Sequence, residues 1–301
     1  MTFDLFRSPG RFYRGNIHTH SNRSDGALPP ERVCRTYREA GYDFLCLSDH
    51  FLAEFGYPLI DTSEFRTDGF TTIFGAELHA PANSHGELWH LLACGLPLDF
   101  QPPSTTEDGV SLARRAVEAG AFLGIAHPQW SGLRIEDGRQ MAELAHAVEI
   151  WNVTSSVECD RGDGWSFLDL LLNEGHRLFG YAADDAHFKA RDWFGAWMMV
   201  KAAENEPSLL LSAMKRGEFY STRGPVIEDL HIEDMALTAR FSPASAVMVL
   251  GRGSRVEFLT FADDAHTAAV LPLNRFAGDW CRFVVVDKDG RQAWTNPIWL
   301  R

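Results

Sequence analysis

Residues 16–26 read NIHTHSNRSDG. His18 and His20 are two apart, so in a strand both imidazoles leave from the same side. Asp25 follows five residues after His20. Two imidazoles and a carboxylate brought to one point suit a metal ion better than a core. The same residue types recur where other apolar runs end. Asp49 and His50 close FLCLSDH, Glu77 closes TIFGAE, His127 closes FLGIAH, and Asp184, Asp185 and His187 close LFGYAADDAH; His90 lies within LWHLLACG. One His or Asp at a strand end is an ordinary loop residue, and Asp49 reads as a cap. Five strands ending alike need a common cause. The carboxyl ends of parallel strands converge on one face of a barrel or open sheet, and sites are built there.

Nine candidates result: His18, His20, Asp25, His50, Glu77, His90, His127, Asp185 and His187. That is more than one ion can take, so two or three divalent ions are expected, with Glu77 as the bridge. Imidazole and carboxylate without cysteine suit zinc, manganese or iron. Clustered cations neutralise an anionic substrate and generate hydroxide near neutral pH. His50 and His187 are the candidates for protonating a leaving oxygen. Arg161, Arg191 and Arg223 are candidates for gripping an anion, because guanidinium matches phosphate geometry. Glu149 and Asn152 end the run VEIWN, where they orient ligands, contact substrate or simply pack. His79 and His85 read as polar loop residues. His146, His176, His231 and His266 read as structural or exposed.

The elements that position these residues alternate up to about residue 200. RFYRGNIH, DFLCLSDH, TTIFGAEL, LWHLLACG, AFLGIAHP, VEIWN and RLFGYAADDAH read as strands; LPPERVCRTYREAG, DGVSLARRAVEAG, EDGRQMAELAHA and WSFLDLLLNEGH read as helices. Such alternation predicts a parallel sheet, open or closed into a barrel. From Val226 onward only short strands are expected, with a hairpin turn at DKDG. The spacing therefore predicts a boundary near Pro225 and a small β-sandwich behind it. Residues 51–70 are long for a βα connection, either a lid or a surface excursion.

Composition narrows the function further. Twenty-eight Lys and Arg against 41 Asp and Glu leave a formal net charge of -13. Such a surface repels a long polyanion, so general nucleic-acid binding is not expected. A small anionic substrate remains compatible, because bound cations invert the local field. The five scattered cysteines form neither a disulfide framework nor a zinc-finger pattern. No apolar run is long enough to span a bilayer, and the first residues do not read as a basic-then-apolar leader, so none is expected. A cytoplasmic protein with no membrane partner is expected; oligomeric state is left open.

The motifs resemble those of the PHP family, the polymerase and histidinol phosphatase domain. HTHSNRSDG matches its first motif, LSDH its second, GAE the following glutamate, IAHP its third-motif histidine and DAH its closing Asp-X-His, in family order. The resemblance covers residues 12 to about 200. It implies a distorted (β/α)7 barrel with two or three metals at the C-terminal face. It also implies that His18, His20, Glu77, His127 and Asp185, with His90, hold the first pair of ions. Asp25 and His50, with shared ligands, would hold the third. GEFYSTRGPVIEDL and AWTNPIWL resemble the subgroup with an appended β-sandwich, which includes predicted phosphoesterases and carbaryl-hydrolase-like enzymes. The expected organisation is a barrel over 1–225 and a sandwich over 226–301. The expected activity is hydrolysis of a small phosphoester by hydroxide generated at the metals. The alternatives are hydrolysis of a carbamate or carboxylic ester at the same site, and a non-catalytic metal-binding module.

Overall fold

The computed structural model describes residues 5–263 and 265–300. Strands β1 (Arg11–Asn16), β2 (Phe44–Leu47) and β4 (Thr71–Ala80) run parallel, with β3 (His50–Phe51) a two-residue strand also parallel to β4. Helix α1 (Pro30–Glu39) makes the crossover from β1 to β2. Proline in its first turn suits an end where the N–H groups have no helical partner, and the face carrying Val33, Cys34 and Tyr37 is buried.

β5 (Trp89–Cys94) departs from the expected all-parallel order. It is antiparallel both to β4 and to β6 (Phe122–Ile125). Residues 81–88, the connection from β4, are too few for the crossover of about a dozen residues that a parallel return requires. After β5, helix α2 (Gly109–Glu118) starts at Asp108, whose carboxylate accepts a hydrogen bond from the Ser111 N–H at 2.7 Å. From β6 the parallel order resumes through β7 (Ala147–Asn152) to β8 (Phe179–Ala183), with helices α3 (Ile135–Met141), α4 (Val153–Cys159) and α5 (Trp165–Glu174) in the connections. The sequence pattern does not announce α4, which Asn152 caps by accepting from the Ser155 N–H at 2.7 Å. Past β8 the chain meets the segment past β1. Thr19 and Ala186 form a parallel bridge, the His20 N–H donates to the Ala186 carbonyl at 2.9 Å, and the Asp185 N–H donates to the His18 carbonyl at 2.8 Å. The carboxyl ends of the first and last strands are thereby tied together.

On its other side β1 pairs antiparallel with β9 (Trp197–Ala202), which pairs antiparallel with β10 (Phe219–Thr222) across helix α6 (Pro207–Lys215). The remaining elements are strands β11 (Ile227–Glu233), β12 (Ala236–Ala244), β13 (Ala246–Gly251), β14 (Val256–Thr260), β15 (His266–Pro272), β16 (Trp280–Val286), β17 (Gln292–Thr295) and β18 (Ile298–Trp299). β17 pairs with β10, so the sheet continues without a break through β17, β16, β13 and β14. β11, β12 and β15 form a separate three-stranded sheet. Phe241, Val247, Phe276 and Phe283 belong to one buried cluster fed by both sheets. Trp280, Val284 and Trp294 instead join the core that holds Trp165 and Leu168 of α5. Arg282 lies 3.8 Å above the Trp165 ring and pairs with Asp169, so the C-terminal strands are fastened to α5. No helix among the described residues is long and apolar enough to cross a membrane.

Candidate metal centre

The strand ends deliver their polar residues to one place. His18 and His20 follow β1, and Asp25 lies in the loop beyond. β3 places His50 opposite Glu77 of β4, while β4 and β5 place His79 opposite His90. His127 follows β6, and Asp185 and His187 follow β8. Glu77, with no exposed surface, sits at the middle. Its carboxylate lies 2.6 Å from His50 Nδ1, 2.8 Å from His90 Nδ1 and 3.1 Å from His127 Nε2. His18 Nε2 and His79 Nε2 are at 3.7 Å and His20 Nε2 at 3.6 Å. Asp185 Oδ1 lies 2.9 Å from His20 Nε2 and 3.2 Å from His18 Nε2. Asp25 Oδ1 lies 3.4 Å from His50 Nε2 and 3.3 Å from His187 Nε2.

Four overlapping sets offer ligand atoms within 4.8 Å of one another: His20, Asp25, His50 and His187; His18, His20 and Asp185; His18, Glu77 and His127; His50, Glu77 and His79. All of the expected ligands except His90 belong to a set, and His90 touches Glu77 directly. His231 and His266, in β11 and β15, belong to none.

The donor chemistry fits metal ions. His18 Nδ1 meets Glu149 Oε1 at 3.0 Å, His127 Nδ1 meets Ser131 Oγ at 3.0 Å, and His187 Nδ1 meets the Asp185 carbonyl at 2.7 Å. Each of these contacts leaves Nε2 to carry a lone pair inward, the usual arrangement around a bound metal. Among the described residues, Nε2 of His18, Oε2 of Glu77 and Oδ1 of Asp25 are buried without a hydrogen-bond partner. Lone pairs therefore face one another across short gaps, an arrangement that a cation between them makes favourable. Protons cannot substitute at every ring. Burial together with the neighbouring charged His50 and His187 pushes His20 down to about 4. Burial, with His90 and His50 nearby, holds His79 well below the ordinary histidine value. Burial opposes charge on His18 as well, but Asp185, Glu149 and Glu77 outweigh it and raise that ring well above its ordinary value. Burial also opposes ionisation of Glu77, yet His50, His90 and His79 hold the carboxyl well below its usual range. The centre therefore keeps its carboxylates charged.

His127 and Asp185 both have left-handed backbone, with φ of 24° and 56°. Conformations of this kind are uncommon for residues other than glycine and cluster at functional sites.

Other residues take places that the sequence pattern does not give them. Asp49 accepts from the Ser21 N–H and Oγ and from Ser24 Oγ, each at 2.7 Å, so it moulds the loop that carries His20 and Asp25. Asn152 is fully buried and donates to Glu149 and to Asp185 at 3.0 Å. It braces ligands and does not line the cavity beside them. Arg191 and Arg223 also lie outside that cavity, in a second one. The metal-side cavity, about 340 Å³, is lined by Asp25, His50, His127, Asp185, His187 and the unanticipated Lys189 and Trp130, among others. Lys189 Nζ lies 3.3 Å from Asp25 Oδ2. His79, a loop residue by its sequence context, instead belongs to a ligand set. Phe55, in the 51–70 connection, lies 6.2 Å from the His50 ring in stacked orientation.

Glu149 holds two candidate ligands at once, since one oxygen meets His18 Nδ1 and the other accepts the His127 N–H at 2.7 Å. Glu149→Gln should leave the fold intact and weaken metal binding by about 10–100-fold, the usual cost of losing such a partner. The amide would set an NH2 group against the donors of His127 and Asn152. A chelator competition titration checks this; an unchanged metal affinity would show that Glu149 only fills space.

No family model and no curated protein matches the chain. Among solved structures it is similar to a two-domain protein from Bacteroides vulgatus containing a predicted PHP-like metal-dependent phosphoesterase. That likeness has 15% identity and a TM-score of 0.54 and covers 96% of each chain. It is less similar to an amidohydrolase from Chromobacterium violaceum, at 15% identity and a TM-score of 0.41 over 57% of this chain and 87% of that one. PsfC from Pseudomonas syringae is at 10% identity and a TM-score of 0.42 over 64% and 83% of the two chains. Scores as low as the last two do not define a fold, whereas the first likeness runs through nearly the whole of both chains. The chain shares the fold of that two-domain protein containing a PHP-like region along nearly its whole length, in keeping with the family that the motifs resemble.

Proposed function

We propose that the chain is a metal-dependent hydrolase, and specifically a phosphoesterase of small anionic molecules. One observation carries the reading: six imidazoles and two further carboxylates gather around the buried Glu77 carboxylate beside an open cavity. In the finer reading, residues 1–225 form the distorted seven-strand barrel and 226–301 the sandwich. The tie between the segments after β1 and β8 supports the first, and the two sheets around Phe241 and Phe283 support the second.

His18, His20, Glu77, His127 and Asp185 would hold two ions, with Glu77 between them and His50, His79 and His90 at its edge. Asp25, His50 and His187, with His20, form the set that would take a third. Divalent zinc, manganese or iron bound there would neutralise substrate charge, polarise a phosphoryl oxygen and supply a nucleophile at neutral pH. The chain's own residues then receive the substrate. Lys189, half exposed at the mouth, attracts an anion. Burial opposes charge on His187, but Asp25 and Asp185 outweigh it and raise the ring to about 9. His187 Nε2 lies 3.3 Å from Asp25 Oδ1 and lines the cavity, placed to hand a proton to the leaving oxygen, and Trp130 walls the cavity. All five cysteines are free, which supports a reducing, cytoplasmic setting.

The purified protein should carry at least two equivalents of divalent metal and should hydrolyse p-nitrophenyl phosphate in preference to aryl carbamates and carboxylic esters. Chelation should abolish turnover. One equivalent or none after purification in metal-supplemented buffer would sink the multi-metal site. Preference for the carbamates would keep the site and change its substrate. Full metal content with no turnover on any of these esters would favour a binding module.

A further inference from the structure

The two arginines that fall outside the metal cavity are not alone. Arg14 of β1, Arg191 and Arg223, and Arg291 before β17 line one cavity of about 430 Å³, together with Trp193 and Trp197. Four arginines line one cavity in a chain whose formal charge is -13. Among the described residues none of the four forms an ion pair with a carboxylate. The acidic groups around them each hold backbone N–H groups, Asp287 through Oδ1 alone. Asp287 accepts from the Asp289 and Arg291 N–H groups. Asp192 accepts from the His187 and Phe188 N–H groups. Asp184 accepts from the N–H groups of residues 194–196 and from the Tyr37 hydroxyl.

Aromatic faces hold two of the arginines in place. The Arg14 guanidinium lies 4.0 Å from the Tyr42 ring centre and 3.9 Å from that of Trp197, and Arg223 lies 3.8 Å from that of Trp151. Stacking occupies the guanidinium faces and leaves the in-plane N–H donors for another partner. Nε of Arg14 and Nε of Arg223 are buried without a hydrogen-bond partner among the described residues. Burial and the nearby Arg291 lower the Arg223 pKa, with Asp287 only partly opposing them. The charge of Arg291 acting on Arg223, with buried donors unspent, is unfavourable until an anion enters.

We propose that this cavity is a second anion-binding site, separate from the metal centre, and that it takes a small organic molecule through a phosphate or carboxylate group. Guanidinium edges pair with such oxyanions in bidentate fashion. The cavity exceeds the metal-side one in volume and falls within the range of about 300–1,000 Å³ common to small-molecule sites. Trp193 and Trp197 offer apolar wall for the remainder of the ligand. The segment from His187 to Trp193 borders both cavities, giving His187 and Lys189 to one and Arg191 and Trp193 to the other. The inference stands on the arginines alone and does not need the hydrolase reading.

Calorimetry on the full, metal-loaded chain tests it with inorganic phosphate and with succinate as probes. The Arg191→Gln/Arg291→Gln double variant removes two exposed side chains, so folding should be unaffected, and circular dichroism checks that. The variant should lose one saturable class of sites for the oxyanion. That class should weaken by about 100-fold, roughly tenfold for each guanidinium removed. Glu77→Gln should leave the same class untouched, which separates it from any anion held at the metals. Phosphate alone filling the class would identify a phosphoryl ligand, succinate alone a carboxylate, and both a general oxyanion; each supports the site. Unchanged affinity and stoichiometry in the arginine variant, loss of the class in Glu77→Gln, or no class sensitive to the arginines with either probe would overturn it.

Discussion

Glu77→Gln should give a folded protein that binds at least one fewer divalent ion and has lost most of its turnover. The change keeps size and shape, so the surrounding strands have no packing reason to move. What disappears is the charge at the point where six imidazole nitrogens lie within 4 Å of one carboxylate. A carboxylate offers one oxygen to each of two cations, whereas an amide offers one neutral oxygen and an NH2 group that faces nitrogen donors. Two close cations would then lose the anion they share and repel each other across a dry site. Losing a partner that merely orients a ligand costs about 10–100-fold, so losing the bridge should exceed about 100-fold in affinity or rate. Elemental analysis and the phosphatase rate should be measured on one preparation. Full metal content with a near wild-type rate would show that the centre is organised around another residue, and Asp185 would be the next to test.

The legible part of this site follows from one rule applied at strand ends. His18 and His20 stand out because residues two apart share a face of a strand. The same rule relates Glu77 to His79, since β4 runs on to Ala80. The apolar run by itself ends the strand at Leu78, which leaves His79 in a loop. The register of β4 against β5, which sets His79 opposite His90, depends on an antiparallel return that an alternating helix–strand pattern does not announce. Asp49 shows the converse difficulty. Its place beside His50 gives it a ligand's address, yet its oxygens are filled by Ser21 and Ser24, partners that only the folded loop brings near. Arg191 lies four residues past the Asp-X-His motif, close enough in sequence to suggest the metal cavity. Left-handed turns at Asp185 and Phe188 carry the chain around, so Lys189 enters that cavity and Arg191 the neighbouring one. Sequence distance cannot foresee such a turn, because its direction is set by Asp192 accepting the His187 and Phe188 N–H groups.

Gly164→Ala should cost on the order of 3 kcal/mol of stability, and the metal set should loosen with it. Gly164 precedes α5 with φ -114° and ψ 1°, a backbone open to alanine, so the cost does not come from conformation. It comes from space. A Cβ there would stand 2.0 Å from the Glu149 carbonyl oxygen, 3.1 Å from its carbon and 3.2 Å from the Ile150 Cα. All three are backbone atoms of β7, where Glu149 is paired in register with Tyr181 of β8, so none can swing aside as a side chain could. The Gly164 N–H also donates to the Ile150 carbonyl at 3.0 Å, which holds the two segments at this distance. Relief requires β7 or the start of α5 to shift, and a shift of β7 carries the Glu149 carboxylate away from His18 and His127. Instability and weaker metal binding should therefore appear together. Gly175→Ala separates the two effects: Gly175 has φ 97° with nothing within 4 Å of its added Cβ. That variant should lose about 1 kcal/mol through backbone strain alone and keep its metal affinity. Urea unfolding and chelator competition on both variants give the comparison. A Gly164→Ala protein as stable as wild type, with unchanged metal affinity, would mean that β7 yields without disturbing Glu149 and that the contact does not position the site.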